Sequence, residues 1–226
     1  MTDELPEISH GIPVFPLPGI TLFPHTQLPL HIFEDRYRAL MEDTLKKPDT
    51  EHCFAMGTLA DGTSNETLGD PPVHRFAGVG RITEYTRMPD GRYALVLRGI
   101  GRVRLTHENS IVRGYRVFGA EWQPDIRPSP EGSWERNLSV EVKALALALL
   151  REQAEKFRGM LSEHVDLGAL VDMICGYLPF PPEFKLQQME ARNVIERAAR
   201  TISQLERMAG VAPEKPLHLD DAPPVN

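Results

Sequence analysis

The stretch Ile12–Asp43, IPVFPLPGITLFPHTQLPLHIFEDRYRALMED, decides the fold. It sets Pro13, Pro16, Pro18, Pro24 and Pro29 among apolar residues and then passes into a helical pattern. Proline cannot donate to a strand ladder, so this spacing predicts short strands broken at bulges and edges and excludes a long central strand. Beyond Phe33, the residues Tyr37, Leu40, Met41 and Leu45 fall on one helical face, and Pro48 is the expected stop. Glu34/Arg38, Glu42/Lys46 and Asp43/Lys47 have i,i+4 spacing in the favourable order, each contributing about 0.2–0.5 kcal/mol.

Downstream, Gly78–Leu105, GVGRITEYTRMPDGRYALVLRGIGRVRL, reads as a hairpin and its continuation. Pro89-Asp90-Gly91 supplies the turn, because glycine accepts positive φ without steric cost. Val73–Met88 and Arg92–Leu97 flank it, His52–Gly57 reads as a strand before it, and Ile111–Trp122 as the last strand. Gly78, Gly80, Gly99 and Gly101 lie within strands, where they suggest bulges and the tight bends of a small barrel. Ala60–Pro72 is polar and rich in turn residues, an expected exposed loop, and residues 1–11 read as a loose leader.

These patterns predict a β lobe over 12–122 with one inserted helix, a proline-rich connector over 123–132, and a helical lobe over 133–210. Leu138, Val142, Leu145 and Leu149 form one stripe, extended by Leu150, Phe157 and Leu161, and the near-continuous apolar middle of that helix predicts burial. Asp166 is placed to cap a helix running to Tyr177. Pro181-Pro182 break the chain and start the next helix. Asn193 and Glu196 have capping-box spacing, and Gly210 ends the last helix. The tail from Val211 is expected to be disordered.

Several of these segments together resemble the N-terminal domain of Lon proteases. The resemblance rests on Pro13–Leu17, Leu22–His25, Leu28–Glu34, Arg36–Arg38, Gly78–Gly80, Asp90-Gly91 and Arg98–Leu105. It continues in Leu178-Pro179, Lys185–Glu190 and Glu196-Arg197, so it covers most of Ile12–Met208 in order. It implies an α+β protein: a small bulged β-barrel, a PUA-like pseudobarrel in that family, followed by a C-terminal helical bundle. It also implies a substrate-recognition module that binds unfolded or partner polypeptides and can associate with a protease or chaperone. The ATPase and Ser–Lys peptidase parts of Lon have no counterpart here: there is no G-x-x-x-x-G-K-[ST] phosphate loop, and no G-x-S-x-G either. A non-catalytic, ATP-independent protein with no cofactor is therefore expected.

The bulk properties agree with that class. Of 226 residues, 41% are hydrophobic, enough for a core, and 25 Lys and Arg against 32 Asp and Glu give a net charge of −7. The acidic balance disfavours a general nucleic-acid binder. Eight arginines between Arg81 and Arg116, against Glu84, Asp90 and Glu108, keep an RNA-binding alternative open, although they read first as alternating solvent-facing strand positions. The longest apolar run, Ala144–Leu150, is far short of a bilayer span, and MTDELPEISH has no signal-peptide pattern. With Cys53 and Cys175 isolated, a cytoplasmic protein with reduced thiols is expected. A homodimer is allowed only as the commonest oligomer.

Binding residues are sought among Phe15, Phe23, Phe33, Glu34, Tyr37, Arg102 and Arg104. The aromatics suit a peptide groove but read first as barrel core, and Arg102 and Arg104 share one face of a strand, where an acidic segment would bind. The expected mechanism is capture of exposed apolar segments along a crevice between lobes and along a strand edge. His25, His31, His52 and His74 lack metal-ligand spacing, and His52 and Cys53, as strand neighbours, point to opposite faces.

Overall fold

The computed structural model describes residues 5–59, 71–127, 133–150 and 165–210, with six strands and five α-helices. The strands are β1 Ile12–Pro18, β2 Gln27–Ile32, β3 Cys53–Leu59, β4 Phe76–Arg87, β5 Tyr93–Val112 and β6 Tyr115–Trp122. The helices are α1 Asp35–Thr44, α2 Ser133–Leu150, α3 Leu167–Tyr177, α4 Pro182–Glu190 and α5 Val194–Ala209. Contacts divide the chain into two units: residues up to Pro124 with Phe180–Glu190, and Asp125–Pro179 with the residues from Ala191 onward. Helix α4 thus belongs by contact with the sheet. Most of the Ala60–Pro72 loop, Pro128 and Pro130 of the connector, Phe157, Leu161 and the tail lie outside the described residues.

In the first unit the strands form one sheet in the order β2-β5-β4-β3-β1-β6, and β5 also pairs with β6. Strand β5 is long enough to serve two neighbours on one side. Its first part, Tyr93–Arg98, carries β2, and its second, Val103–Val112, carries β6. The sheet therefore turns back on itself through β5 and leaves β2 outside the ring, so where a small bulged barrel was expected the strands form a six-stranded sheet that is not a clean barrel. All pairings are antiparallel except β1 with β3, whose parallel crossover contains β2 and α1.

Strand β1 also departs from expectation: despite three prolines it lies inside the sheet. Its two sides are used in succession, Ile12–Val14 against β6 and Val14–Pro18 against β3, so only Val14 pairs on both. The expected strand Ile111–Trp122 is split by a turn, because Arg113 and Gly114 both adopt positive φ, 47° and 89°. Two such residues make the two-residue turn whose twist matches a hairpin. The Pro89-Asp90-Gly91 turn forms as read: Gly91 N donates to Met88 O at 2.9 Å, and Gly91 sits at φ 83°.

Alternation sends strand neighbours into two cores. Val14, Ala55, Val79 and Val103 join one cluster; Phe15, Phe54, Met56, Leu95 and Leu97 join the other, which α1 covers with Tyr37, Leu40 and Met41. The Phe15 and Tyr37 rings meet edge to face at 4.3 Å between centroids. The in-strand glycines have a second cause besides bulging. The loop between β1 and β2 crosses the sheet so closely that a Cβ on Gly78 would lie 1.7 Å from Leu22 O, and one on Gly99 would lie 2.0 Å from Phe23 O. Hydrogen bonds pin that loop: His25 N donates to Gly99 O at 2.9 Å, and Thr58 Oγ1 to Ile20 O at 2.7 Å.

In the second unit α5 packs on α2 and α3. The caps form as read: Asp166 accepts from Ala169 N at 3.0 Å, Asn193 from Ile195 N at 3.0 Å, and Gly210 adopts φ 68°. Glu196 pairs with Arg200 and returns no bond to the Asn193 backbone, so the capping box expected there is half formed. On α2 only a stripe through Leu138, Val142 and Ala146 is buried, whereas Val140 is 64% exposed, so the helix is less enclosed than its apolar middle suggested. The backbone at Ile126 pairs beside α5, exchanging bonds with Arg192 O and Val194 N. Asp125 thereby reaches the fully buried Arg197, with Oδ2 to Nη2 at 3.0 Å, and Asp172 lies 3.6 Å from the same guanidinium. Among the described residues no helix is long and apolar enough to cross a membrane.

Candidate functional site

Strand parity decides which side chains of the sheet a partner can reach. In β2, Leu30 and Ile32 are buried, and Gln27, Pro29 and His31 face outward. In β5, Tyr93, Leu95 and Leu97 are buried, and Ala94, Val96 and Arg98 alternate with them. The register sets these outward residues in rows: Pro29–Val96–Glu84 and His31–Ala94–Thr86. With Tyr85 they line an open groove of about 510 Å³. Its floor is apolar, made by Pro29, Ala94 and Val96, and its margins are polar. Tyr85 is 52% exposed, and Phe33, two residues beyond His31, is 64% exposed.

Among the described residues, the groove ends at an unpaired strand edge. Strand β3 pairs with β4 only over Gly78–Arg81, and the last backbone bond on that side runs from Ile82 N to His52 O at 2.8 Å. A bulge follows between Ile82 and Glu84, and Thr83–Arg87 are all exposed. Glu84 and His31 make no hydrogen bond or ion pair among the described residues. Arg87 is engaged: it lies over the Tyr93 ring and 3.8 Å from Glu42.

The structure separates the residues singled out in the sequence. Phe15, Phe23 and Tyr37 are buried, Phe33 is exposed, and Glu34 accepts from Arg36 at 2.9 Å beside the start of α1. Arg102 is buried and Arg104 pairs with Glu121. Inward parity on β1 takes Phe15 away from any partner, and burial in the crossing loop and on the inner face of α1 does the same for Phe23 and Tyr37. The arginine-rich stretch is not a row of solvent-facing positions, since Arg81, Arg102 and Arg116 are buried. Arg116 makes a forked contact with Glu108, Nε to Oε1 at 3.0 Å and Nη2 to Oε2 at 2.7 Å. The groove residues Pro29, His31, Glu84, Thr86 and Val96 were missed. Their signal was the alternation in QLPLHI and YALVLR, which marks the outward set once the inward set is known.

Other chemistry is sparse. Burial pushes the Cys53 thiol up to about 11, against the opposing charges of Arg81 and Lys47, so it stays protonated at neutral pH. No group of three His, Cys, Asp or Glu is placed to hold a metal ion among the described residues.

The chain matches the sequence profile of the ATP-dependent protease La (LON) substrate-binding domain over residues 11–207. It is 25% identical over 209 residues to a Lon protease of Lawsonia intracellularis, covering 91% of this chain and 25% of that protein. It is 24% identical over 204 residues to Lon protease 1 of Bdellovibrio bacteriovorus, covering 89% of this chain and again 25% of the relative. The chain thus spans about a quarter of the length of the curated relatives it matches. Its fold is similar to that of the N-terminal domain of a Mycobacterium avium complex Lon protease, with a TM-score of 0.68 at 20% identity, covering 87% of this chain and 98% of that one. A Lon N-terminal domain protein from Xanthomonas campestris gives 0.58 at 22% identity, covering 90% and 99%.

Proposed function

The chain belongs to the LON substrate-binding domain family, and from that membership we propose that it is a non-catalytic module that binds polypeptide. The partner is an unfolded or extended segment, held on the outward face of β2, β5 and β4. In this reading the protein works in the cytoplasm without ATP hydrolysis of its own and hands its partner to a separate protease or chaperone. Its self-closing strands are a variant of a PUA-like pseudobarrel.

The observation that carries the reading is the open groove floored by Pro29, Ala94 and Val96, with Tyr85 exposed at its margin, on the strand position that alternates to the opposite face, and Phe33 exposed two residues beyond His31. An apolar floor at a strand edge with exposed aromatics suits a desolvated peptide contact. The arginines do not favour the RNA alternative. Arg87, Arg92, Arg104, Arg113 and Arg116 all have acidic partners within 4 Å, so little free positive charge remains for phosphate.

Titrating labelled, permanently unfolded proteins into the chain tests this. Saturable binding that weakens on Val96→Asp and on Tyr85→Ser is expected. Binding indifferent to both changes, or a low-salt gel shift with RNA in its place, would overturn it.

A further inference from the structure

We propose that the open edge of β4, Thr83–Arg87, takes an extended polypeptide as an added strand, with a basic residue opposite Glu84 and an apolar residue opposite Tyr85. The inference rests on the polypeptide-binding reading and specifies its edge and its sequence preference.

Backbone parity identifies the bonding groups. Met88 N donates to Arg92 O at 2.8 Å, so the N–H of Met88 points toward β5. Alternation turns Thr86 and Glu84 the same way and leaves the N–H and C=O of Tyr85 and Arg87 directed at the open side. Ile82 N points to that open side as well, toward His52. The bulge between Ile82 and Glu84 is what restores the phase.

Other free edges of the sheet are blunted along their length, and this one only at its start. The outer side of β2 carries Pro29, which has no N–H. The far half of β5 is interrupted by two register shifts, at Leu105/Glu108 and Glu108/Ser110. Beyond the bulge at Thr83, Glu84–Arg87 has no proline and no further register shift, and such an edge is a template for another strand.

Charge chooses the occupant. Arg87 is held by Glu42 and by the Tyr93 ring, and Arg98, one row along from Val96, has a partner of its own. Among the described residues, Glu84 is left as the uncompensated charge on the edge. In an antiparallel addition, the residue opposite Glu84 forms a non-hydrogen-bonded pair, the closer of the two kinds, with Cα atoms about 4.5 Å apart. A Lys or Arg there meets the carboxylate, and a Glu is repelled. The residue opposite Tyr85 lies on the other face, where a β-branched or aromatic side chain pairs best. The preferred segment therefore alternates basic and apolar residues.

Fluorescence anisotropy on the full chain, at low salt, tests this with labelled nonapeptides. One alternates Val and Lys, one alternates Val and Glu, and two are Val–Lys peptides with backbone N-methyl groups at the valines or at the lysines. The Val–Lys peptide is expected to bind roughly two- to fivefold more tightly per charge pair than Val–Glu. Glu84→Lys should reverse that order. Methylation at the valines, whose N–H groups would face Tyr85 and Arg87, should abolish binding, and methylation at the lysines should not. Peptide binding with no response to Glu84→Lys or to the site of methylation overturns the edge assignment while leaving the groove reading standing. No binding of any peptide overturns both.

Discussion

Arg113 and Asp43, 70 residues apart, join the tip of the β5–β6 hairpin to α1: Nη1 donates to Oδ1 at 2.9 Å. The second guanidinium nitrogen reaches Glu42 Oε2 at 2.8 Å, and Tyr115 OH donates to the other oxygen of Asp43 at 3.2 Å. These contacts replace the expected pairing of Glu42 with Lys46. Lys46 instead bonds Asp43 at 2.9 Å, three residues back. A fork brought in from the hairpin satisfies two adjacent carboxylates better than a mobile lysine on the same helix.

Arg113 also bears positive φ, so its two roles separate by substitution. Arg113→Ala and Arg113→Gly both lose the ion pairs, so that loss cancels between them. The glycine variant is freed of the left-handed penalty and should be more stable than the alanine variant by about 1 kcal/mol. Urea midpoints at equal m-value check the order.

The same cluster gives an acid dependence. The bond from Arg113 holds Glu42 below the usual carboxylate range. At Asp43 burial acts upward, but bonds from Lys46, Tyr115 and Arg113 outweigh it and the net shift is down. Carboxylates depressed in the folded state contribute stability above their unfolded pKa and lose it as pH falls through the folded value. Stability should therefore drop below about pH 4, and less steeply in Arg113→Ala. Thermal melts between neutral and acid pH measure the difference.

Arg197 is fully buried between Asp125 and Asp172. Arg197→Met strands two carboxylates, one of them on the almost inaccessible Asp172, and should cost about 3–5 kcal/mol. Amide exchange along α5 reads the loss directly. Unchanged protection there would show that the pairs contribute nothing net.

Gly78→Ala places a methyl group against the Leu22 carbonyl, where backbone must move. A loss of more than about 2 kcal/mol is expected, from overpacking that cannot relax by side-chain rotation. Chemical denaturation checks it.

Cys53 and Cys175 are both buried, and Cys53 is a poor thiolate former. A thiol reagent at mildly alkaline pH should modify neither while the chain is folded and both once it is denatured. Fast labelling of the native protein would show that β3 opens readily.

Local signals carried far in this chain. The face of α1, the Pro89-Asp90-Gly91 turn, the caps at Asp166 and Asn193 and the glycine stop at Gly210 each depend on a few neighbouring residues, and each forms as the sequence indicates. Spaced motifs in fixed order were enough to identify the family, because a shared fold constrains many separated positions at once. The turn at Arg113-Gly114 was not legible, since nothing local marks an arginine for positive φ. Its ties to Glu42 and Asp43, which lie far back in the chain, hold it there.

By itself, then, the sequence determined most of the segments that become strand, turn or helix, though not the Arg113-Gly114 turn, and which family they belong to. Tertiary structure alone decided that the proline-rich β1 sits between two partners, that Arg81, Arg102 and Arg116 go inside, and that Gly78 and Gly99 make room for a crossing loop. It alone decided that Phe15, Phe23 and Tyr37 close a core while Pro29, Glu84 and Val96 share an outward groove. The physical reason is the period of two: a strand divides its residues into two faces, but only its neighbours in the sheet determine which face meets the core.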